Sequence, residues 1–288
     1  MTAPLSNRLT VTPTDDELSD LARDGAVVLR GVVDSSWIES MREAIEVALD
    51  DPGPMSREYT KPNEPGRYFG DFFLWRRFEA FRAFMADSPL PELAARLLDS
   101  QKVFFFYDQL LVKEPGTRAE TPLHHDLTYW PVRGEQIISI WVPFDHATPE
   151  SGAVTYVRGS HRWGRMFAPA AFGDGAGYDK LYAKAGLESI PDLDRDIDPA
   201  DHLAWSLEPG DVLIHHPLTL HFARGNQTSD LRRRGLALRY VGDDSVYDER
   251  PGTFLESGQM KTHLPELGLD DGQCFRGDLF PRVWPRES

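Results

Sequence analysis

The sequence predicts a mainly β protein, a sandwich or jelly roll supported by flanking helices. Two observations carry that expectation. Helical patterning is confined to the first third of the chain and ends near Leu98, whereas from Lys102 onward strand patterning dominates. No internal repeat or low-complexity tract points to a solenoid or a fibre instead.

The elements follow in order. Thr14-Asp15-Asp16-Glu17 supplies an N-cap and an acidic first turn for a short helix through Leu18, Leu21 and Ala22 that stops near Gly25. Ala26 to Arg30 reads as a strand, and Asp34-Ser35-Ser36 caps a longer helix with Trp37, Met41, Ile45 and Ala48 at helical spacing. Residues 51–68 are rich in Pro, Gly and charge and read as a loop. The aromatic run Phe69 to Trp75 follows, suited either to core packing or to shaping a pocket, and Leu90 to Leu98 is a further amphipathic helix. Val103 to Lys113 is a long strand apolar on both faces. From Gln136 to Phe144 the pattern alternates, with Ile138, Ile140, Val142 and Phe144 on one face and Ser139 and Trp141 on the other. Ala153 to Val157, Val212 to His215, Thr219 to Phe222 and Arg233 to Val241 read as the remaining strands.

One domain over 1–288 is expected: helical support over about 14–98, a jelly-roll core over about 102–244 with an insertion over about 167–202, and a C-terminal extension over 245–288. A formal net charge of −15 argues against nucleic acid or an anionic membrane as partner, since both select a positive surface. A small-molecule substrate is the expected partner. Oligomeric state is open. Cys274 is the single cysteine, which rules out an intrachain disulfide, and no secretory leader or transmembrane run is visible, so the cytoplasm is the expected compartment.

Chemistry concentrates in Thr121-Pro122-Leu123-His124-His125-Asp126. In an extended strand His124 and Asp126 face one way and His125 the other. A further histidine from a distant strand would complete two imidazoles and one carboxylate, the set that holds non-haem Fe(II) and leaves positions open for substrate and oxygen. His221, in the stretch Gly210 to His221, is the best donor. An isolated His-x-Asp is weak, because a lone histidine is commonly a packed core residue. The second histidine cluster and the arginine-rich strand after it raise its weight.

Together, Leu123 to Trp130, the segment Gly152 to His161 ending in Gly-Ser-His, and Gly210-Asp211 followed by His216-Pro217 and His221 resemble the phytanoyl-CoA dioxygenase family of Fe(II)/2-oxoglutarate oxygenases. The similarity spans roughly Val27 to Asp244. It implies a double-stranded β-helix with iron held by His124, Asp126 and His221. It also implies 2-oxoglutarate and O2 as cosubstrates, an arginine on a late strand for the far carboxylate of 2-oxoglutarate, and release of succinate and CO2. Counting from His221 selects Arg232 for that arginine; counting back from Tyr240 selects Arg233. Parity favours Arg233, which shares a face with the small Gly235 and Ala237, whereas Leu236, Leu238 and Tyr240 form the bulky face. Thr121 and Trp141 are candidates to line the cosubstrate pocket, and Asn226 to hold the loop before the arginine strand. His125, His215 and His216 are assigned to packing or to orienting the ligands. Related halogenases replace the carboxylate by a small residue; Asp126 is retained here, so hydroxylation is the first expectation, with desaturation or ring formation after the same hydrogen abstraction. A lyase or isomerase on a cupin-like barrel, binding metal without 2-oxoglutarate, is the alternative.

Overall fold

The computed structural model describes residues 5–168, 187–256, 258–264 and 267–286. Most of the expected insertion, 169–186, lies outside the described residues. The strands are β1 (Ala26–Leu29), β2 (Arg57–Glu58), β3 (Tyr68–Phe72), β4 (Val103–Lys113), β5 (Thr121–His124), β6 (Val132–Arg133), β7 (Ile137–Pro143), β8 (Thr155–Val157), β9 (His202–Leu203), β10 (Val212–His215), β11 (His221–Ala223), β12 (Arg233–Val241), β13 (Val246–Tyr247) and β14 (Arg282–Trp284). A major antiparallel sheet runs β1-β10-β7-β12-β4-β3-β2, with β14 also on β4. A minor sheet runs β5-β11-β8-β9, and β13 pairs with β6. Two antiparallel sheets facing one another make a double-stranded β-helix, a jelly roll.

Helices α1 (Asp15–Asp24), α2 (Ser35–Asp50), α3 (Glu79–Asp87) and α4 (Leu90–Leu97) support the major sheet. Local chemistry fixes their ends. Thr14 and Glu17 close a capping box on α1, and Gly25 ends that helix in the left-handed region at φ 81°. Asp34 caps α2 by accepting from the amides of Ser36 and Trp37. The α3 helix, which buries Phe81, Phe84 and Met85, was not among the expected elements.

Side-chain alternation divides the major sheet cleanly. Ile138, Ile140 and Val142 of β7, Val212 and Ile214 of β10, and Leu236, Leu238 and Tyr240 of β12 enter one core with Trp37, Met41, Phe81, Phe84 and Leu93 of the helices. Of the odd-numbered residues, Trp141, Leu213 and Ala237 face the minor sheet and pack with Tyr156 of β8, while Ile137 and Val241 at the far end of their strands join the first core. The outer face thus anchors the sheet while the inner face is free to carry a site. The chain ends are also part of the barrel: β1 pairs with β10, β3 with β4, and β14 with β4. The helical support and the C-terminal extension therefore contribute strands as well as cover. Where a loop and an aromatic cluster were expected, Tyr68–Phe72 is a strand and Leu74–Arg76 a short 3-10 turn. Asp108 of β4 holds that turn by accepting from the amides of Leu74 (2.8 Å) and Trp75 (2.9 Å). Among the described residues no helix is long and apolar enough to cross a membrane.

Candidate active site

The site lies between the sheets. β5 and β11 are register partners that set His124 opposite His221, and β8 sets Tyr156 on the other side of His221. The strand expected to carry both His124 and Asp126 stops at His124, however. His125 is still extended, and Asp126 opens a 3-10 helix, Asp126–Tyr129. The turn keeps the expected convergence: Asp126 Oδ1 is 3.7 Å from His124 Nε2 and 3.9 Å from His221 Nε2. Arg250, from the C-terminal segment, pins this helix by donating to the carbonyls of Leu127 and Trp130.

One donor atom from each of His124, Asp126 and His221 lies within 4.8 Å of the others, and all three side chains are buried. Bonds of about 2.0–2.2 Å to one ion put neighbouring ligands about 3 Å apart, so small rotations would close the set. The backbone presets the imidazoles. His124 Nδ1 lies 2.8 Å from the Pro122 carbonyl and His221 Nδ1 2.9 Å from that of Thr219. Each Nδ1–H donates to its carbonyl, which directs the Nε2 lone pairs at the shared point. Burial lowers the His124 pKa to about 4 and pushes His221 well below its ordinary value, so both rings are neutral, as ligation requires. For Asp126, burial works upward, but the Arg239 guanidinium and the His215 hydrogen bond outweigh it and hold the carboxyl well below its usual range. Two neutral imidazoles and an ionised carboxylate fit a divalent iron.

The neighbouring cavity is lined by Gln109, Thr121, Trp141, Arg233, Ala237 and Arg239, and it reaches His124 and His221. Arg233 and Arg239 come from the inner face of β12, six residues apart, and bracket it. Arg233 is 2% exposed, and no carboxylate among the described residues forms an ion pair with it. One of its amines donates to the Leu111 carbonyl at 2.8 Å, while Nε has no partner. Burial lowers its pKa to about 10, with Tyr68 acting the other way, which still leaves it charged at neutral pH. A buried guanidinium of this kind calls for an incoming anion. The Tyr68 hydroxyl, 2.7 Å from Thr121 Oγ1, adds polar groups at the same end. Lys113, opposite Arg233 in the β4–β12 register, spends its amine on the carbonyls of Ala223 and Arg224.

Arg232 points elsewhere. Its side chain pairs with Glu46 at 2.6 Å and Glu114 at 2.7 Å, outside the cavity. Thr121 and Trp141 are both on the wall, and Asn226 bridges the carbonyls of Lys113 and Leu231 before β12. Gly235, one of the small residues on the face of Arg233, makes room for Trp141: a Cβ there would lie 2.3 Å from the indole. His125 turns away, accepting from the Phe167 amide at 3.0 Å, and His216 packs on His161. Tyr68 and Gln109 were not singled out from the sequence, and Arg239 was there only as a group that could meet an acidic substrate. For Arg239 and Gln109, the same inner-face parity that selects Arg233 would have found them once β4 and β12 were known to pair.

The family model for phytanoyl-CoA dioxygenase matches residues 21–235. This chain belongs to the phytanoyl-CoA dioxygenase family. The peroxisomal phytanoyl-CoA dioxygenase of Rattus norvegicus is 28% identical over 159 residues, covering 54% of this chain and 44% of that protein. The chain thus matches less than half the length of that relative. Dioxygenase cdmD of Talaromyces verruculosus is 23% identical over 248 residues, 77% of this chain and 72% of that protein. Among solved structures, the non-haem 2-oxoglutarate-dependent carbocyclase SnoK from nogalamycin biosynthesis superposes with a TM-score of 0.71 at 22% identity, covering 94% of this chain and 96% of that one. The epimerase SnoN, solved with Fe3+, 2-oxoglutarate and nogalamycin RO, gives 0.69 at 20% identity, covering 93% and 98%. These likenesses establish the jelly-roll fold of the family member.

Proposed function

We propose that this family member is a non-haem Fe(II)- and 2-oxoglutarate-dependent oxygenase acting on a small organic molecule, and that the chain forms one catalytic domain. The observation that carries the reading is the pairing of two features in one cavity: three convergent donors on His124, Asp126 and His221, and a buried guanidinium on Arg233 that has no carboxylate partner among the described residues. His124, Asp126 and His221 would hold the iron. Arg233, with Tyr68 and Thr121 beside it, would take the far carboxylate of 2-oxoglutarate, and Trp141 would form the wall along its chain. A planar fork on a planar carboxylate gives both strength and register. Arg239 sets a second positive charge beside Asp126, at the metal end of the same cavity.

Iron and 2-oxoglutarate, when bound, supply an oxidant from O2 with release of succinate and CO2. This chain's own residues keep the carboxylate ionised, keep the imidazoles neutral, and bury the reacting centre away from bulk water. Hydroxylation is the first outcome. Desaturation or ring closure, in which the substrate gives up two hydrogens, is the second, the latter favoured by the likeness in fold to a carbocyclase.

Anaerobic reconstitution with Fe(II) and 2-oxoglutarate, exposure to O2 with a panel of candidate substrates, and mass spectrometry test the reading. Succinate formation with a substrate gaining one oxygen or losing two hydrogens is expected. Asp126→Ala should abolish succinate formation; turnover near wild type in that variant would contradict the assignment.

A further inference from the structure

We infer that His215, oriented by Tyr156, is a positioning residue that fixes Asp126 so that a single carboxylate oxygen faces the metal. The inference rests on the iron reading above and concerns how the carboxylate is held. The two oxygens of Asp126 have different surroundings. Oδ1 looks at His124 Nε2 and His221 Nε2, at 3.7 and 3.9 Å. Oδ2 is turned to His215 Nε2 at 3.2 Å, with an Arg239 amine beyond it at 3.8 Å.

The tautomer follows from the partners. An ionised carboxylate only accepts, so His215 Nε2 must carry the proton and donate. In the neutral tautomer this requires, Nδ1 is an acceptor, and the Tyr156 hydroxyl 3.1 Å away is placed to donate to it. Tyr156 is wholly buried, on the strand that pairs with β11 beside His221. His215 itself ends β10, on the inner face of the major sheet. The relay Tyr156–His215–Asp126 therefore ties the two sheets together through the carboxylate.

Its consequence is chemical. The terminal torsion of an aspartate is broad, so an unheld carboxylate would pivot and present both oxygens to the ion. That would occupy a position the oxygenase must keep open for cosubstrate or O2. Committing Nε2 to Oδ2 also explains how a third buried imidazole, its ring centroid 4.6 Å from that of His221, stays out of the ligand set.

The test compares wild type with His215→Phe, His215→Gln and Tyr156→Phe, titrating each metal-free protein with Mn(II) and recording the visible ligand-field spectrum of its Co(II) form. His215→Phe should bind Mn(II) about 10–100-fold more weakly and alter the Co(II) spectrum. His215→Gln, whose amide also donates to Oδ2, should recover to within about fivefold of wild type, and Tyr156→Phe should lose at least about threefold. Folded His215→Phe with wild-type affinity and an unchanged Co(II) spectrum would overturn the inference, as would His215→Gln binding no better than His215→Phe. Should His215→Phe not fold, Tyr156→Phe decides: weakened binding supports the relay and wild-type binding overturns it. Wild type that binds neither metal would overturn the iron reading and this inference together, whereas tight wild-type binding with unaffected variants overturns this inference alone.

Discussion

Arg232 and Arg233 are adjacent in sequence, yet strand parity sends one to the protein surface and the other into the cavity. Arg232 is balanced by Glu46 and Glu114, whereas Arg233 is buried with no carboxylate partner among the described residues. Their substitutions should therefore separate. Arg233→Met should weaken 2-oxoglutarate binding by about 100-fold, the loss of a bidentate charged contact worth roughly 2–3 kcal/mol. Arg232→Ala should leave that affinity within about twofold and cost at most about 1 kcal/mol of stability, because its ion pairs are partly solvated. Calorimetric titration of both variants reads the difference, and equal losses would contradict the placement of Arg233. Parity alone made this choice legible in the sequence. The counts from His221 and from Tyr240 disagreed, and only the alternation with Gly235 and Ala237 decided between them.

At the scale of elements, β12 and β7 build the cavity wall as a fitted pair. Ala237 stands opposite Trp141 in register, and Gly235, one step along the same face, lies under the indole. Gly235→Ala would put a methyl 2.3 Å from the ring, so the buried Trp141 must shift. The expected cost is about 1–3 kcal/mol of stability together with weaker 2-oxoglutarate binding. A thermal melt and a ligand titration check both, and a variant unchanged in each would show that Trp141 is not part of the wall. The strands of this pair were readable because their alternation is strict. The turn at Asp126 was not, since nothing local in Asp126-Leu127-Thr128-Tyr129 requires a helix; Arg250, more than a hundred residues later, holds that turn in place. The same holds for β3, whose Tyr68–Phe72 becomes a strand by pairing with β4.

For the whole molecule, the buried histidines set a pH dependence. Burial lowers His124 and His216 to about 4, and lowers His125, His161 and His221 as well. Groups depressed on folding bind fewer protons in the native state, so stability falls as pH drops from about 6.5 toward 4, by up to about 1.4 kcal/mol per pH unit for each of the well-buried rings and by much less for the half-exposed His161. Burial raises Asp108 to about 7 and raises Asp71, which opposes the trend over the same window. The histidines outnumber them, so the melting temperature of the metal-free protein should decline from pH 7 to pH 5. A flat or rising profile would contradict the burial of these rings. Asp126, depressed in the fold, adds its own loss only below about pH 4, where the unfolded carboxylate takes up its proton.

The jelly roll itself was legible from strand density after Lys102, and its helical supports from their caps. Which strands faced the site depended on pairings between residues far apart in the chain, such as His124 with His221, and no local pattern encodes those. The central claim is that metal and 2-oxoglutarate share one cavity, the first on His124, Asp126 and His221 and the second on Arg233. Titrating metal-free protein with 2-oxoglutarate, with and without Mn(II), and repeating both titrations on Asp126→Ala tests it most directly. One equivalent of 2-oxoglutarate per chain, bound tightly only with Mn(II) and lost in Asp126→Ala, is the result expected. Binding that ignores the metal, or survives intact in Asp126→Ala, would contradict it.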